Sequence, residues 1–306
     1  MAFLTFLEGL RLPPLTAFFS VITYLGDETC FMALAMLLFW CVNKRQGYYL
    51  FAVGFAGIAA SQMMKLYFRV PRPWVLDPDF TIVESARAGA GGYSFPSGHT
   101  QNIVGTLGVI AVSNRQKWVR WLCLAGVILV PFSRMYLGVH TPLDVGVGFA
   151  LSAVLVAALW FVFRDDAHFA RGAVWVLLGL LVLAAVYLLF VLRYPFPADI
   201  DPENYAEGVK NAWVMLGVVV GLLVSRFVDE KKLRFNVAAP LLGQVCKLVL
   251  GMALLVAIRV VLKAPLLALF HGSVAADAVR YCCMVLFAGC VWPLTFPLWQ
   301  KVGAKK

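Results

Sequence analysis

Long apolar runs separated by short polar turns dominate the chain. A membrane-spanning helix needs about 20 mostly apolar residues. Runs of that kind lie near 28–43, 47–66, 98–113, 118–137, 142–163, 173–192, 211–226, 238–261 and 279–299. Ahead of them Phe3, Leu4, Phe6, Leu7 and Leu10 recur at helical spacing with Glu8 and Arg11 between, the pattern of a short amphipathic helix lying in an interface. Residues 14–25 are apolar too, but Gly26-Asp27-Glu28 interrupts them, so one long span over 15–42 stays open beside a span starting at 28. The pattern predicts an all-α, polytopic transmembrane helix bundle of about nine spans plus the N-terminal amphipathic helix.

Composition excludes the main alternatives. Of 306 residues, 62% are hydrophobic and 14% charged, with a mean hydropathy of +0.84; ordinary soluble domains stand at about 45–50% and about 25%. A soluble globule could not hide that much apolar surface, and a disordered chain needs the opposite balance. The N-terminus lacks a positive n-region and a small-residue cleavage site, so no removable signal peptide is expected. The seven cysteines all fall in apolar stretches, without disulfide or metal-ligand spacing, and read as small buried hydrophobes.

A net charge of +10 would suggest nucleic acid in a soluble chain; in a membrane protein it asks which face carries the excess. The turns 43–46, 114–120, 164–172 and 226–237 and the C-terminal tail hold 14 of the 26 basic residues, from Lys44 and Arg45 to Lys301, Lys305 and Lys306. The alternate loops 67–97, 193–210 and 263–278 are rich in acids, among them Asp77, Glu84, Asp199, Glu203 and Asp277. The positive-inside rule makes the first set, and the C-terminus, cytoplasmic and the second set external in a cell membrane.

Three polar clusters fall on that acidic outer face. Lys65 to Trp74 closes one span, Phe95-Pro96-Ser97-Gly98-His99-Thr100 opens the next, and Ser133-Arg134 to Leu143-Asp144 forms a later turn. Helices running down, up and down again bring these ends to one surface. Lys65, Arg72 and Arg134 would repel one another there unless an anion joins them, and the guanidinium forks suit phosphate oxygens. Ser97 and Gly98 stand at a helix N-terminus, where free N–H groups attract anions, and His99 and His140 supply groups that act as nucleophile or proton donor near neutral pH. Each feature alone has a structural reading: Ser97 as an N-cap, Thr141 to Asp144 as a capping box, the cations as interfacial anchors. None of these explains why all of them meet in one place.

The pattern Lys-x6-Arg-Pro (Lys65 to Pro73), Pro-Ser-Gly-His (Pro96 to His99) and Ser-Arg-x5-His-x3-Asp (Ser133 to Asp144) resembles the type 2 phosphatidic acid phosphatase (PAP2) superfamily of integral membrane lipid phosphatases. The resemblance covers about the first 165 residues, dividing the chain into a 1–165 catalytic membrane domain and a 166–306 C-terminal four-helix module of no evident role. It implies that His140 attacks phosphorus to form a phosphohistidine, that Asp144 orients His140, and that His99 protonates the leaving oxygen and later activates water. It further implies that Lys65, Arg72, Ser97, Gly98 and Arg134 bind the phosphoryl oxygens, with no cofactor and no metal. In keeping with this, the sequence offers no carboxylate cluster for Mg²⁺.

A site at the outer mouth of a bundle suits a lipid phosphate in the bilayer, and not nucleic acid. The first expectation is an undecaprenyl-diphosphate type of lipid phosphatase. Phosphatidate, phosphatidylglycerol-phosphate and sphingoid-phosphate phosphatases stand beside it. A lipid phosphotransferase and a non-enzymatic lipid transporter or binding protein are the other classes. The loop 75–95 reads equally as a lid or a passive connector. In the C-terminal module Lys247 lies deep within a span and needs a partner, while Arg259 lies near its outer end, where it could snorkel with Lys263.

Overall fold

The computed structural model describes residues 1–303, which are helix and loop without a strand; Lys305 and Lys306, counted in the charge pattern, lie outside them. Helix α1 (Ala2–Gly9) buries Leu4 and Leu7 and leaves Phe3 and Phe6 exposed, as its amphipathic spacing predicts. Arg11 ties this segment down by donating to the carbonyls of Tyr136 (3.0 Å) and Thr81 (2.9 Å). Helix α2 (Pro13–Ile22) starts on proline, where the missing N–H costs nothing. It ends in a tight turn, Thr23–Gly26, before α3 (Glu28–Leu37). The two pieces meet at 52°. Asp27 makes the break: it is extended, and its carboxylate accepts the Thr29 N–H at 2.8 Å, capping α3. The interruption at residues 26–28 is therefore a bend between two helices.

The remaining helices are α4 (Lys44–Phe68), α5 (Pro73–Leu76), α6 (Gly98–Ser113), α7 (Lys117–Tyr136), α8 (Pro142–Phe163), α9 (Asp166–Arg193), α10 (Pro202–Val228), α11 (Leu241–Val261), α12 (Lys263–Leu269), α13 (Ala276–Leu286) and α14 (Phe296–Trp299). Among the described residues seven helices are long and apolar enough to cross a membrane, or eight with the bent pair as one span. The sequence count of about nine is slightly high because it includes residues 98–113. That stretch is a 16-residue helix, about 24 Å long at 1.5 Å per residue, under the length counted for a full span although it still returns the chain towards the opposite face. Large apolar side chains stay exposed along the helices, Trp121 at 69% and Trp175 at 73%, a surface that lipid covers and water would not tolerate.

The chain packs as two compact units. One comprises Met1–Leu34, Val53–Phe161 and Phe196–Tyr205; the other comprises Ala35–Ala52, Val162–Pro195 and the residues from Ala206 onward. The first holds all three polar clusters. Within it α7 ends on a left-handed glycine: Gly138 has φ +83°, a conformation that a side chain would strain, and the turn is closed by Val139 N–H donating to Arg134 O at 3.1 Å. The second unit resolves the question of Lys247. Its ammonium donates to Val237 O at 2.8 Å and lies 4.4 Å from the centre of the Phe296 ring. A carbonyl and a π-face thus hold this fully buried cation.

Candidate active site

The first unit brings the end of α4, the start of α6, the end of α7 and the start of α8 together. Asp144 lies in the first turn of α8, where Thr141 and Asp144 exchange bonds: the carboxylate accepts Thr141 N–H at 2.7 Å, and Thr141 Oγ1 accepts Asp144 N–H at 3.3 Å. This is the capping box of the structural reading. The same carboxylate oxygen lies 3.5 Å from His140 Nδ1, so the cap also places the acid beside the histidine. Ser97 caps α6, its Oγ accepting from the Thr100 N–H at 3.4 Å and hydroxyl at 3.0 Å. Its own N–H donates to Asp144 O at 3.0 Å, stitching α6 to α8. Gly148 permits that approach, since a Cβ there would stand 2.7 Å from Ser97 O. A Cβ at Gly98 would meet nothing within 4 Å, so the α6 N-terminus borders open space.

Arg72 is 95% buried, with 5% exposure, yet every nitrogen of its fork has an acceptor. Nε donates to Gly92 O (2.9 Å), Nη2 to Gly91 O (2.7 Å), and Nη1 to Val139 O (3.0 Å) and to His140 Nε2 (2.9 Å). An arginine can only donate. Nε2, the ring nitrogen nearer Nη1 (Nδ1 lies 3.4 Å away), is therefore the unprotonated one, its lone pair accepting from Arg72, and the ring proton sits on Nδ1, facing Asp144. Burial first, then the charges of Arg72, Arg134 and Lys65, holds the His140 imidazole well below its ordinary value of 6.5, so the ring is neutral near pH 7. Lys65, half-buried in the last turn of α4, is the third cation acting on both His140 and His99.

Arg134, 1% exposed, donates to Thr23 Oγ1 at 2.7 Å and to Gly89 O at 3.2 Å, while its Nε is buried without an acceptor among the described residues. The loop around Gly89 also borders His99: a Cβ at Gly89 would lie 3.8 Å from the ring Nε2. All eight residues singled out in the sequence thus lie in this one unit, at the helix ends where the motifs were read.

Three features escaped the sequence reading. Ser94, fully buried, donates to Asp144 Oδ2 at 2.6 Å and lies 3.4 Å from His140 Nδ1. Its signal was faint, a serine just outside the Pro-Ser-Gly-His motif. Asp27 follows Gly26, whose backbone packs on His99 so closely that a Cβ would stand 2.9 Å from His99 O, and its charge acts on His99 and Arg134. An acidic pair inside an apolar run was the available hint. Finally, the carbonyls of Gly89, Gly91 and Gly92 hold the two guanidinium groups, which no side-chain motif could announce.

Residues 45–168 match the PAP2 superfamily, and residues 213–302 match the PAP2 superfamily phosphatase transmembrane extension. The second match carries the likeness past residue 165, where the resemblance read from the sequence stops. The chain is 32% identical over 138 residues to the undecaprenyl-diphosphatase BcrC of Bacillus subtilis, covering 44% of this chain and 67% of that protein. It is 32% identical over 162 residues to the lipid A 4'-phosphatase of Porphyromonas gingivalis, covering 50% and 67%. With a dihydrosphingosine 1-phosphate phosphatase of Schizosaccharomyces pombe it shares 28% identity over 209 residues, 62% of this chain and 47% of that one.

Proposed function

This chain belongs to the PAP2 superfamily as a membrane-integral phosphatase, and from that premise we propose that it hydrolyses a lipid phosphate or diphosphate, of undecaprenyl-diphosphate type, at the outer membrane face through a phosphohistidine. His140 Nε2 attacks phosphorus in line as the bond to the leaving oxygen breaks, and His99 supplies the proton that oxygen needs. His99, now a base, takes a proton from water. The water oxygen attacks phosphorus, the N–P bond breaks, and phosphate leaves with His140 neutral again. Asp144 keeps the His140 proton on Nδ1 and balances the charge that grows on the ring. Lys65, Arg72, Arg134, the Ser97 hydroxyl and the Gly98 amide bind the phosphoryl oxygens and stabilise charge in the transition state.

The observation that carries this reading is the Arg72 Nη1 to His140 Nε2 bond, which marks Nε2 as the unprotonated nitrogen beside a phosphate-matching fork; its lone pair is released for attack when the fork turns to the phosphoryl oxygens. The undecaprenyl type is favoured by the Bacillus relative and by the positive-inside charge pattern. Residues 1–165 act as the catalytic domain, followed along the chain by the 166–306 module. The carbonyls at 89, 91 and 92 make the loop a lid that shares its arginines with substrate.

The test is phosphate release by the purified protein across polyprenyl diphosphates, phosphatidate, phosphatidylglycerol phosphate and sphingoid phosphates. Release is expected to be fastest from the polyprenyl diphosphates, to vanish in His140→Ala with the fold intact by circular dichroism, to be inhibited by vanadate and to be indifferent to EDTA. Full activity in His140→Ala would sink the mechanism.

A further inference from the structure

The second unit holds a positive cavity that the phosphatase chemistry leaves unused. It measures about 430 Å³ and is lined by Lys210 of α10, Arg259 and Val260 of α11, Lys263 and Leu267 of α12, and Asp277 and Arg280 of α13. Four cations face one carboxylate. Arg280, 6% exposed, commits Nη2 to Asp277 at 2.5 Å, and its Nε is buried without a partner. Lys210, Arg259 and Lys263 make no ion pair or hydrogen bond among the described residues. Snorkelling spreads cations singly into the headgroup layer. It does not converge four of them on one hollow, nor bury the guanidinium of one. Such a set repels itself unless an anion sits between its members.

The flank of the cavity indicates the kind of anion. Val260 of the lining is 67% exposed, and Val256 and Val261 on the same helix and Leu269 on α12 are 58%, 66% and 70% exposed, an apolar surface that continues along α11. A cationic hollow at the end of an apolar helix flank matches an amphiphile with a phosphate head and hydrocarbon tails. We propose that this cavity binds the phosphate of an anionic phospholipid, in a site built by the C-terminal helices from residues other than those that hold the substrate phosphate. The site gives the C-terminal module a lipid-binding role that does not depend on which lipid is hydrolysed.

The probe is phosphatidylglycerol against phosphatidylcholine, counted by native mass spectrometry on the full-length protein released from mixed micelles. Wild type is expected to retain phosphatidylglycerol preferentially. Arg259→Gln/Lys263→Gln is expected to bind it about 30-fold more weakly, at about fivefold per basic residue lost, while still releasing phosphate from a soluble short-chain substrate. Lys210→Gln, at an exposed position, is expected to cost about fivefold and decides the matter if the double variant does not fold. His140→Ala is expected to retain phosphatidylglycerol as wild type does. Equal retention of the two lipids by wild type, or undiminished retention in the cation variants, would overturn the proposal. Displacement of phosphatidylglycerol by equimolar inorganic phosphate would also overturn it, assigning the cavity to a free anion.

Discussion

Replacing Ser94 with alanine isolates one bond in the arrangement around His140. Ser94 Oγ donates to Asp144 Oδ2 at 2.6 Å and stands 3.4 Å from His140 Nδ1. The substitution removes the hydroxyl and leaves the Thr141 N–H on the same carboxylate at 2.7 Å, so the α8 cap survives. A buried hydrogen bond to a charged group is worth about 1.5–3 kcal/mol, and at about 1.4 kcal/mol per tenfold this is a loss of about 10- to 150-fold in rate. The loss belongs in kcat, with KM little changed, because the serine orients the acid–histidine pair and does not reach the phosphate cations. Phosphate release under saturating lipid phosphate measures it, alongside thermal unfolding. Ser94→Ala/Asp144→Asn should lose less than the product of the two single effects, since both act through His140. A kcat within twofold of wild type, or a loss confined to KM, would refute the reasoning.

Other expectations follow from the same geometry. Arg72→Lys keeps the charge but cannot span Gly91 O, Gly92 O, Val139 O and His140 from one nitrogen; losing two of these bonds should lower stability by about 2 kcal/mol and activity with it, read by thermal unfolding and phosphate release. Gly148→Ala puts a Cβ 2.7 Å from Ser97 O, so α6 must move from α8; activity should fall more than about tenfold, at about 1.4 kcal/mol of misplacement, with helical circular dichroism unchanged. An unfolded histidine takes up a proton near 6.5, whereas native His140 resists it until well below that value. The unfolded state then binds the extra proton, so stability should fall as pH drops below about 6.5, by up to about 1.4 kcal/mol per unit, and be insensitive to His140 above it. Thermal unfolding of His140→Gln against wild type between about pH 7.5 and 5 should show the His140 share of that slope removed and the share of the other site histidine, His99, left in place.

What the sequence determined by itself was the solvent of the protein and the address of its chemistry. Apolar runs long enough for a bilayer leave no other fold class, because backbone polar groups in lipid must be paired within helices. Alternation of span direction then sends Lys65, Arg72, Ser97, His99, Arg134 and Asp144 to neighbouring helix ends before any contact is known. Span number was less legible: a 16-residue helix and a run broken at Asp27 carry the hydropathy of spans, and only the backbone shows where each stops. The tertiary structure alone decided that Ser94 joins the acid–histidine pair, that backbone carbonyls of a glycine-rich loop cradle both arginines, and that four scattered cations of the C-terminal helices share one cavity. The physical reason is that hydropathy and spacing are properties of one chain direction. A hydrogen bond to a carbonyl or a hollow between helices exists only when segments far apart in sequence come within a few ångströms.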